Sequence, residues 1–497
     1  MNTGDIFFHY DVSPTTWFYL SALMVIGIYF KFYRALSVRN MDLLSILLFG
    51  PCILLIMHGS LPDSNGTISA ASVYLVRTGY VILFLLTLFY IIRLLLDCLM
   101  VRRPLLEPNL DSSGLRFTCL ALLVFLAGSI AISLSPLEIR DLKENSAEVD
   151  HFIKHPISLE DALRINQLNR SKSESERLTQ RGPGYPWFHK FALTPLAQKA
   201  SAQADKTLPD ASQEKSAVNE KAPEAAEETS VSSLNFNESQ VYWTKIIAIL
   251  GHVFIVAGII AFGYFHFGNF DTGVAAAVLY LLMPYSYHFQ TRLDHIIPAV
   301  FLIWALVFYR RPWISGFLIG IASTLAYYPW FLIPLWVSFY WRRGVFRFVV
   351  STLATMAIMG LTILIFSENQ EICKNNLLNM VGFVGLIFQN PQGFWGDVTK
   401  EVTYRIPILA AYCGLCISLL FWPPQKNLGV LLSCSAAVLM GAQLIHPFQG
   451  GLYMAWYLPF LILTIFRPNL EDRVATTSVF ESRFRIIPRA PKETNPA

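Results

Sequence analysis

The chain has 497 residues, of which 54% are hydrophobic and only 14% are charged. Soluble domains carry roughly 25% charged residues, so this composition argues against a soluble protein and for lipid as the solvent. The formal net charge is only +4, which gives no support for nucleic-acid binding.

Long apolar runs predict about thirteen membrane spans, because about 20 apolar residues cross the hydrocarbon core of a bilayer. The predicted spans are residues 16–33, 42–58, 73–96, 116–136, 243–265, 272–288, 295–309, 313–327, 328–341, 346–366, 406–422, 427–445 and 449–466. The eighth and ninth form a tight helical hairpin around Tyr328 and Pro329. The fold class predicted is therefore all-α, a polytopic transmembrane helical bundle.

Basic residues concentrate in alternate loops of this predicted bundle. They are Lys31, Arg34, Arg39, Arg102, Arg103, Arg116, Arg310, Arg311, Arg342, Arg343, Arg347, Lys426, Arg467 and Arg473. Because short cytoplasmic loops are enriched in lysine and arginine, the N-terminus is predicted outside and the C-terminus in the cytoplasm. The location predicted is the inner, cytoplasmic membrane of a bacterium, with the large loop 137–242 outside.

Five segments follow from this pattern. Residues 1–115 hold three N-terminal spans, 116–366 a core with the large outer loop, 367–405 a second outer loop, 406–466 the C-terminal spans, and 467–497 a cytoplasmic tail. The second outer loop carries an amphipathic stretch, LLNMVGFVGLIFQ, that suits a helix lying in the membrane interface. Residues 199–240 are rich in Ala, Glu, Lys and Ser, so they are predicted to be a disordered insert that cannot bury enough apolar surface.

Two pairs of residues that are close together in the sequence are interpreted as structural. Arg93 and Asp97 are spaced i, i+4 near the inner end of the third span, where they can pair. Cys413 and Cys416 form a C-x-x-C inside an apolar helix without flanking ligands, so both are interpreted as small hydrophobic residues.

The stretch QTRLDHIIPAV, residues 290–300, places Arg292, Asp294 and His295 at the outer end of the seventh span. Other polar residues are predicted on the same side, namely Asp397, Tyr404, Arg405, His446 and Gln449. Ionisable residues at membrane depth are functional candidates. The alternatives are that Arg292, His295 and Arg405 anchor the chain at the interface and that Asp294 caps the seventh helix.

Residues 243–342 resemble the membrane core of the GT-C superfamily of glycosyltransferases. The resemblance lies in GVAAAVLYLLMPYSYH, then HIIPAVFLIWALVFYRR, a Gly-x-x-x-Gly helix with Gly316 and Gly320, and the following YYPWFLIPLW. Small residues four apart let helices approach closely. The segment RGPGYPWF, from Arg181 to Phe188, is also similar to a Tyr-Pro segment in the first outer loop of many members.

The resemblance implies an inverting transfer of a sugar from a polyprenyl-phosphate donor on the outer face of the membrane. Such a reaction needs a carboxylate as general base and cations or a divalent metal at the leaving phosphate. The candidates for the base are Asp141 and Glu138, and the candidates for substrate binding are Arg181, Tyr185, Trp187, Arg292, Asp294, His295 and Arg405. No cofactor is indicated for certain, and the metal is unknown.

The chain departs from the family pattern at two points. No paired acidic element follows the fourth span, and Ala326 stands where many members carry a lysine before Tyr-Pro. An alternative is therefore a catalytically inactive scaffold for envelope assembly. A transporter of a lipid-linked substrate is the third hypothesis, although no internal repeat of the kind found in transporters is visible. The expected partners are the lipid-linked sugar and membrane lipid, not nucleic acid, and the oligomeric state is open.

Overall fold

A computed structural model of the chain describes residues 13–60, 69–99, 106–132, 238–366, 393–399, 402–446, 452–470 and 473–479. Within these ranges the structure is helical, apart from an isolated bridge between Asn427 and Val474. The α-helices are α1 (Pro14–Tyr29), α2 (Val38–Leu47), α3 (Phe49–Gly59), α4 (Ala70–Leu96), α5 (Ser112–Ile132), α6 (Glu238–Phe262), α7 (Phe270–Leu282), α8 (Pro284–His288), α9 (Leu293–Val307), α10 (Pro312–Leu325), α11 (Ile333–Tyr340), α12 (Val345–Phe366), α13 (Arg405–Phe421), α14 (Leu428–Ile445), α15 (Leu458–Phe466) and α16 (Ala475–Ser478). The all-α fold class is confirmed for these residues.

Six helical stretches in the described part of the chain are long and apolar enough to cross a membrane. They are Val38–Gly59, Ala70–Leu99, Ser112–Ile132, Tyr242–Phe267, Val345–Thr362 and Leu428–Ile445. Five shorter apolar helices accompany them. Six long apolar helices indicate a polytopic integral membrane protein. The count of about thirteen spans and the orientation of the termini stay predictions.

Helix α14 lies at the centre of the bundle. All of its residues except Leu444 are buried, as expected for a helix that is apolar on every side. Asn427 starts it, because the Asn427 Oδ1 accepts a hydrogen bond from the Val430 N–H at 2.9 Å. The helix packs against α4, α13 and α15. The ends of α14 therefore lie among the ends of several other helices, and this position creates the two polar regions described below.

A charged network joins helices at the Asn427 end of α14. The predicted pair of Arg93 and Asp97 is confirmed, with Nη1 and Oδ1 3.5 Å apart. Arg93 also contacts Asp42 of α2, with Nη2 and Oδ2 2.9 Å apart. Asp97 itself is fully buried, and its Oδ2 accepts hydrogen bonds from Nε and Nη2 of Arg467 at 2.9 and 2.5 Å. The network ties the end of α4 to α2 and to the segment after α15.

The Gly-x-x-x-Gly pair of α10 lies against α12, which confirms the predicted close approach. A Cβ atom on Gly316 would lie 2.5 Å from the Phe348 carbonyl oxygen, and one on Gly320 would lie 2.8 Å from the Thr355 Cβ. The Thr352 hydroxyl donates hydrogen bonds to the carbonyl oxygens of Phe348 and Gly316, at 2.9 and 3.1 Å. Backbone contact between the two helices is therefore direct at Gly316.

Replacing Gly316 with valine is expected to force α10 and α12 apart. The added atoms would meet backbone, which cannot move away as a flexible side chain can, and overpacking of this kind costs about 1–3 kcal/mol. The measurement is the thermal unfolding midpoint of the purified protein in detergent. Gly414→Val is the matched control, because a Cβ at Gly414 of α13 meets no atom within 4 Å. Equal midpoints for the two variants would disprove the contact.

Candidate functional site

Arg292 and Asp294 form an ion pair where α9 begins. Arg292 Nη2 lies 3.0 Å from Asp294 Oδ2, and Arg292 Nε lies 3.4 Å from Oδ1. The predicted helix cap at Asp294 is wrong, since α9 already begins at Leu293 and Asp294 sits in its first turn. Burial opposes the charge of Arg292, but the neighbouring groups, Asp294 first among them, together outweigh burial and raise the pKa of Arg292 above its ordinary value. The ion pair therefore favours the charged form of Arg292.

His295 points into the protein. Its side chain is only 2% exposed, and Nδ1 lies 2.5 Å from the hydroxyl oxygen of Tyr285 in α8. Nε2 lies 3.7 Å from Asp294 Oδ2, and the ring centroid lies 4.9 Å from that of Tyr453. An interfacial anchor would face lipid and water, so that alternative is excluded for His295.

His446 continues this arrangement at the C-terminal end of α14. Its ring centroid lies 4.7 Å from that of Tyr453 and 5.7 Å from that of Tyr327. Trp456 closes the group from the side, with its ring stacked on Tyr328 at 3.9 Å. The tyrosines and the tryptophan lie in or next to the short 3-10 helices Tyr328–Leu332 and Met454–Trp456. Two turns and the end of α14 therefore converge here.

Arg405, the first residue of α13, is 2% exposed, which also excludes an interfacial anchor. Its Nε donates a hydrogen bond to the Ile445 carbonyl oxygen at 2.9 Å. Within the described residues, Nη1 and Nη2 are buried and have no hydrogen-bond partner. Ile445 directly precedes His446 in the chain. Arg405 thus lies beside the same group of side chains, at the C-terminal end of α14.

We call this set of side chains the polar cluster. It consists of Arg292, Asp294, His295, Tyr453, His446 and Tyr327, in order of contact, and of Arg405, which binds the backbone next to His446. The cluster contains two guanidinium groups, those of Arg292 and Arg405, and one carboxylate, that of Asp294. The Arg292 charge is balanced by Asp294, so Arg405 leaves the cluster positive. A positive, buried site suits an anion, and a guanidinium binds phosphate through two parallel hydrogen bonds.

The remaining predicted site residues lie elsewhere. Asp141, Glu138, Arg181, Tyr185, Trp187 and Gln449 fall outside the described residues. Tyr404 is 60% exposed and does not join the cluster. Among the described residues, no group of three or more His, Cys, Asp or Glu side chains is placed to hold a metal ion.

Sequence reasoning placed Arg292, Asp294, His295, Arg405 and His446 on one side, and the structure brings them together. It missed the tyrosines that connect them, Tyr285, Tyr327 and Tyr453. A signal was present, because Tyr285 and Tyr328 flank prolines in Pro284-Tyr285 and Tyr328-Pro329. Proline at the first turn of a helix marks a place where the chain breaks and begins again, and broken helices in a membrane bury irregular backbone next to polar cavities.

Comparison with known proteins identifies no family. No family model matches the sequence, and no curated protein or solved structure shows significant similarity to it. The functional interpretation therefore depends on the polar cluster and on the sequence pattern of the core.

Proposed function

We propose that the chain is an integral membrane glycosyltransferase that uses a polyprenyl-phosphate-linked sugar at the polar cluster. The observation that carries this proposal is the buried guanidinium of Arg405, whose Nη1 and Nη2 have no partner in the described residues. Burying a charge without a partner costs several kcal/mol. A bound phosphate would supply the missing acceptors, so the geometry favours a phosphate-bearing ligand.

The position of Arg405 also bears on the lysine that is missing before Tyr-Pro. Ala326 ends α10 and is 3% exposed, so no cation comes from this position. The next residue, Tyr327, stacks on the His446 ring, and Arg405 binds the carbonyl oxygen of Ile445, the residue before His446. We propose that Arg405, from a different helix, supplies the cation that many GT-C members carry at the position of Ala326.

The proposed reaction is a single displacement. The general base, for which the sequence favours Asp141, takes the proton of the acceptor hydroxyl. The acceptor oxygen forms the new bond to the anomeric carbon, the bond from that carbon to the phosphate oxygen breaks, and polyprenyl phosphate leaves. Arg405 and Arg292 stabilise the charge that develops on the phosphate. Asp294 and His295 accept or donate hydrogen bonds to the sugar.

The scaffold remains the second candidate, because the sequence lacks a paired acidic element. One experiment separates the two proposals and the transporter. The purified protein is reconstituted in vesicles with polyprenyl-phosphate donors that carry radiolabelled sugars and with candidate acceptors. Label transfer with release of polyprenyl phosphate supports the transferase. Donor binding without transfer favours the scaffold, and movement of intact donor between leaflets favours the transporter.

A further inference from the structure

A cavity lies at the end of α13 that is remote from the polar cluster. It has a volume of about 620 Å³ and is lined by the C-terminal parts of α11 and α13, by residues 424–426 and by residues 474–476. Helix α13 begins at Arg405 in the polar cluster and has 17 residues, so the cavity lies about 25 Å from that cluster at 1.5 Å per residue. The cavity is therefore separate from the proposed active site.

Residues 473–479, which we call the C-terminal segment, form one wall of the cavity. Val474 forms the isolated bridge with Asn427, and Arg343 Nη1 donates a hydrogen bond to the Thr476 carbonyl oxygen at 2.7 Å. The Leu428 N–H donates to the Arg473 carbonyl oxygen at 2.9 Å. These bonds hold the segment across the ends of α11 and α13, and all three line the cavity.

The charged residues that line the cavity are both basic. Arg342 and Lys426 are lining residues, and among the residues that the structure describes the lining contains no aspartate or glutamate. Lys426 is only 7% exposed, and its Nζ donates one hydrogen bond, to the Pro423 carbonyl oxygen at 2.9 Å. An ammonium group has three donors, so two remain for a ligand. Arg342 is exposed at the mouth, where it can reach the same ligand.

Exposed aromatic side chains mark the depth of the cavity in the membrane. Trp341 and Phe421 both line it and are 68% and 74% exposed. Aromatic residues are enriched at the level of the lipid headgroups. The basic loops at this end are those that the charge distribution predicts to be cytoplasmic. Basic pockets between membrane helices on the cytoplasmic side suit anionic lipid headgroups.

We propose that this cavity binds the phosphate headgroup of an anionic phospholipid from the cytoplasmic leaflet. Lys426 holds the phosphate from inside the cavity and Arg342 holds it from the mouth. The acyl chains leave past Trp341 and Phe421 along the apolar surface of α13. The bound lipid joins the C-terminal segment to α11 and α13. This inference is independent of the proposed transferase activity.

The test is native mass spectrometry of the delipidated full chain, titrated with phosphatidylglycerol or with phosphatidylcholine of the same acyl chains. The wild type is expected to prefer phosphatidylglycerol. Lys426→Gln and Arg342→Gln are each expected to weaken phosphatidylglycerol binding about fivefold, since one basic residue near a charged headgroup contributes about 1 kcal/mol. Arg347→Gln is the matched control, an exposed arginine on α12 outside the cavity lining, and is expected to bind like the wild type.

Three results would overturn the proposal. The first is that the wild type binds both lipids equally. The second is that Arg347→Gln weakens binding as much as Arg342→Gln, which would indicate an effect of general surface charge. The third is that millimolar inorganic phosphate displaces phosphatidylglycerol, which would indicate a site for a soluble phosphate. Arg342 is exposed whereas Lys426 is buried, so Arg342→Gln is expected to fold normally. It therefore keeps the test valid if Lys426→Gln does not fold.

Discussion

Replacing Arg467 with methionine is expected to lower the free energy of unfolding by about 3–5 kcal/mol, because it leaves a buried carboxylate without its main partner. Asp97 is fully buried, and Arg467 binds it through two nitrogen atoms. Gly429 makes room for this arginine, since a Cβ atom there would collide with Nη1. The measurement is the unfolding midpoint in detergent, with denaturant titration for the free energy.

An exposed arginine–aspartate pair gives the matched control. Arg116 and Asp271 are 2.8 Å apart, and their side chains are 55% and 36% exposed. Arg116→Met is expected to cost at most about 1 kcal/mol, as exposed pairs contribute little. The double variant Asp97→Asn with Arg467→Met is expected to recover much of the loss, because it removes the buried charge as well. A small effect of Arg467→Met alone would contradict the assigned pairing.

Helix positions were predictable from the sequence because hydropathy is a local property. The predicted span 427–445 and the observed helix α14 (Leu428–Ile445) agree within a residue, since Asn427 is both the polar boundary and the helix cap. The predicted span 272–288 was less accurate. Pro284 divides it into α7 and α8, and the break brings Tyr285 to His295.

Partners far apart along the chain could not be predicted in this way. Arg93 and Asp97 are one helical turn apart, so their pairing follows from spacing alone. Arg467 is 370 residues from Asp97, and the packing of both α4 and α15 against α14 brings them together. In the polar cluster, the sequence placed Arg405 and His446 on the same side, but the tyrosines that connect them depend on how two turns fold back into the bundle.

Arg405 and Arg467 are the two arginines buried within the described ranges. Their situations are opposite, and the difference separates a structural role from a functional one. Arg467 is fully engaged with Asp97, so its charge stabilises the fold. Arg405 gives one hydrogen bond to the Ile445 carbonyl oxygen, while its two terminal nitrogen atoms have no partner within the described ranges. A buried charge kept without a partner lowers stability and is retained where function needs it.

Replacing Arg405 with methionine is therefore expected to leave the free energy of unfolding unchanged or to raise it. The same change is expected to weaken binding of the polyprenyl-phosphate donor about 100-fold, because a desolvated, charge-assisted contact to phosphate is lost. Methionine keeps much of the volume and removes the charge. The measurements are the unfolding midpoint without donor and the dissociation constant for the donor, both on the purified full chain.

Arg405→Lys and Arg34→Gln complete the comparison. Lysine keeps the charge but not the planar pair of donors, so donor affinity is expected to fall between the wild type and Arg405→Met. Arg34 is exposed and ends a short 3-10 helix far along the chain from the cluster, so its variant is expected to bind donor normally. If Arg405→Met unfolds more easily and still binds donor, Arg405 is a structural anchor of Ile445, and the polar cluster loses its proposed role in holding phosphate.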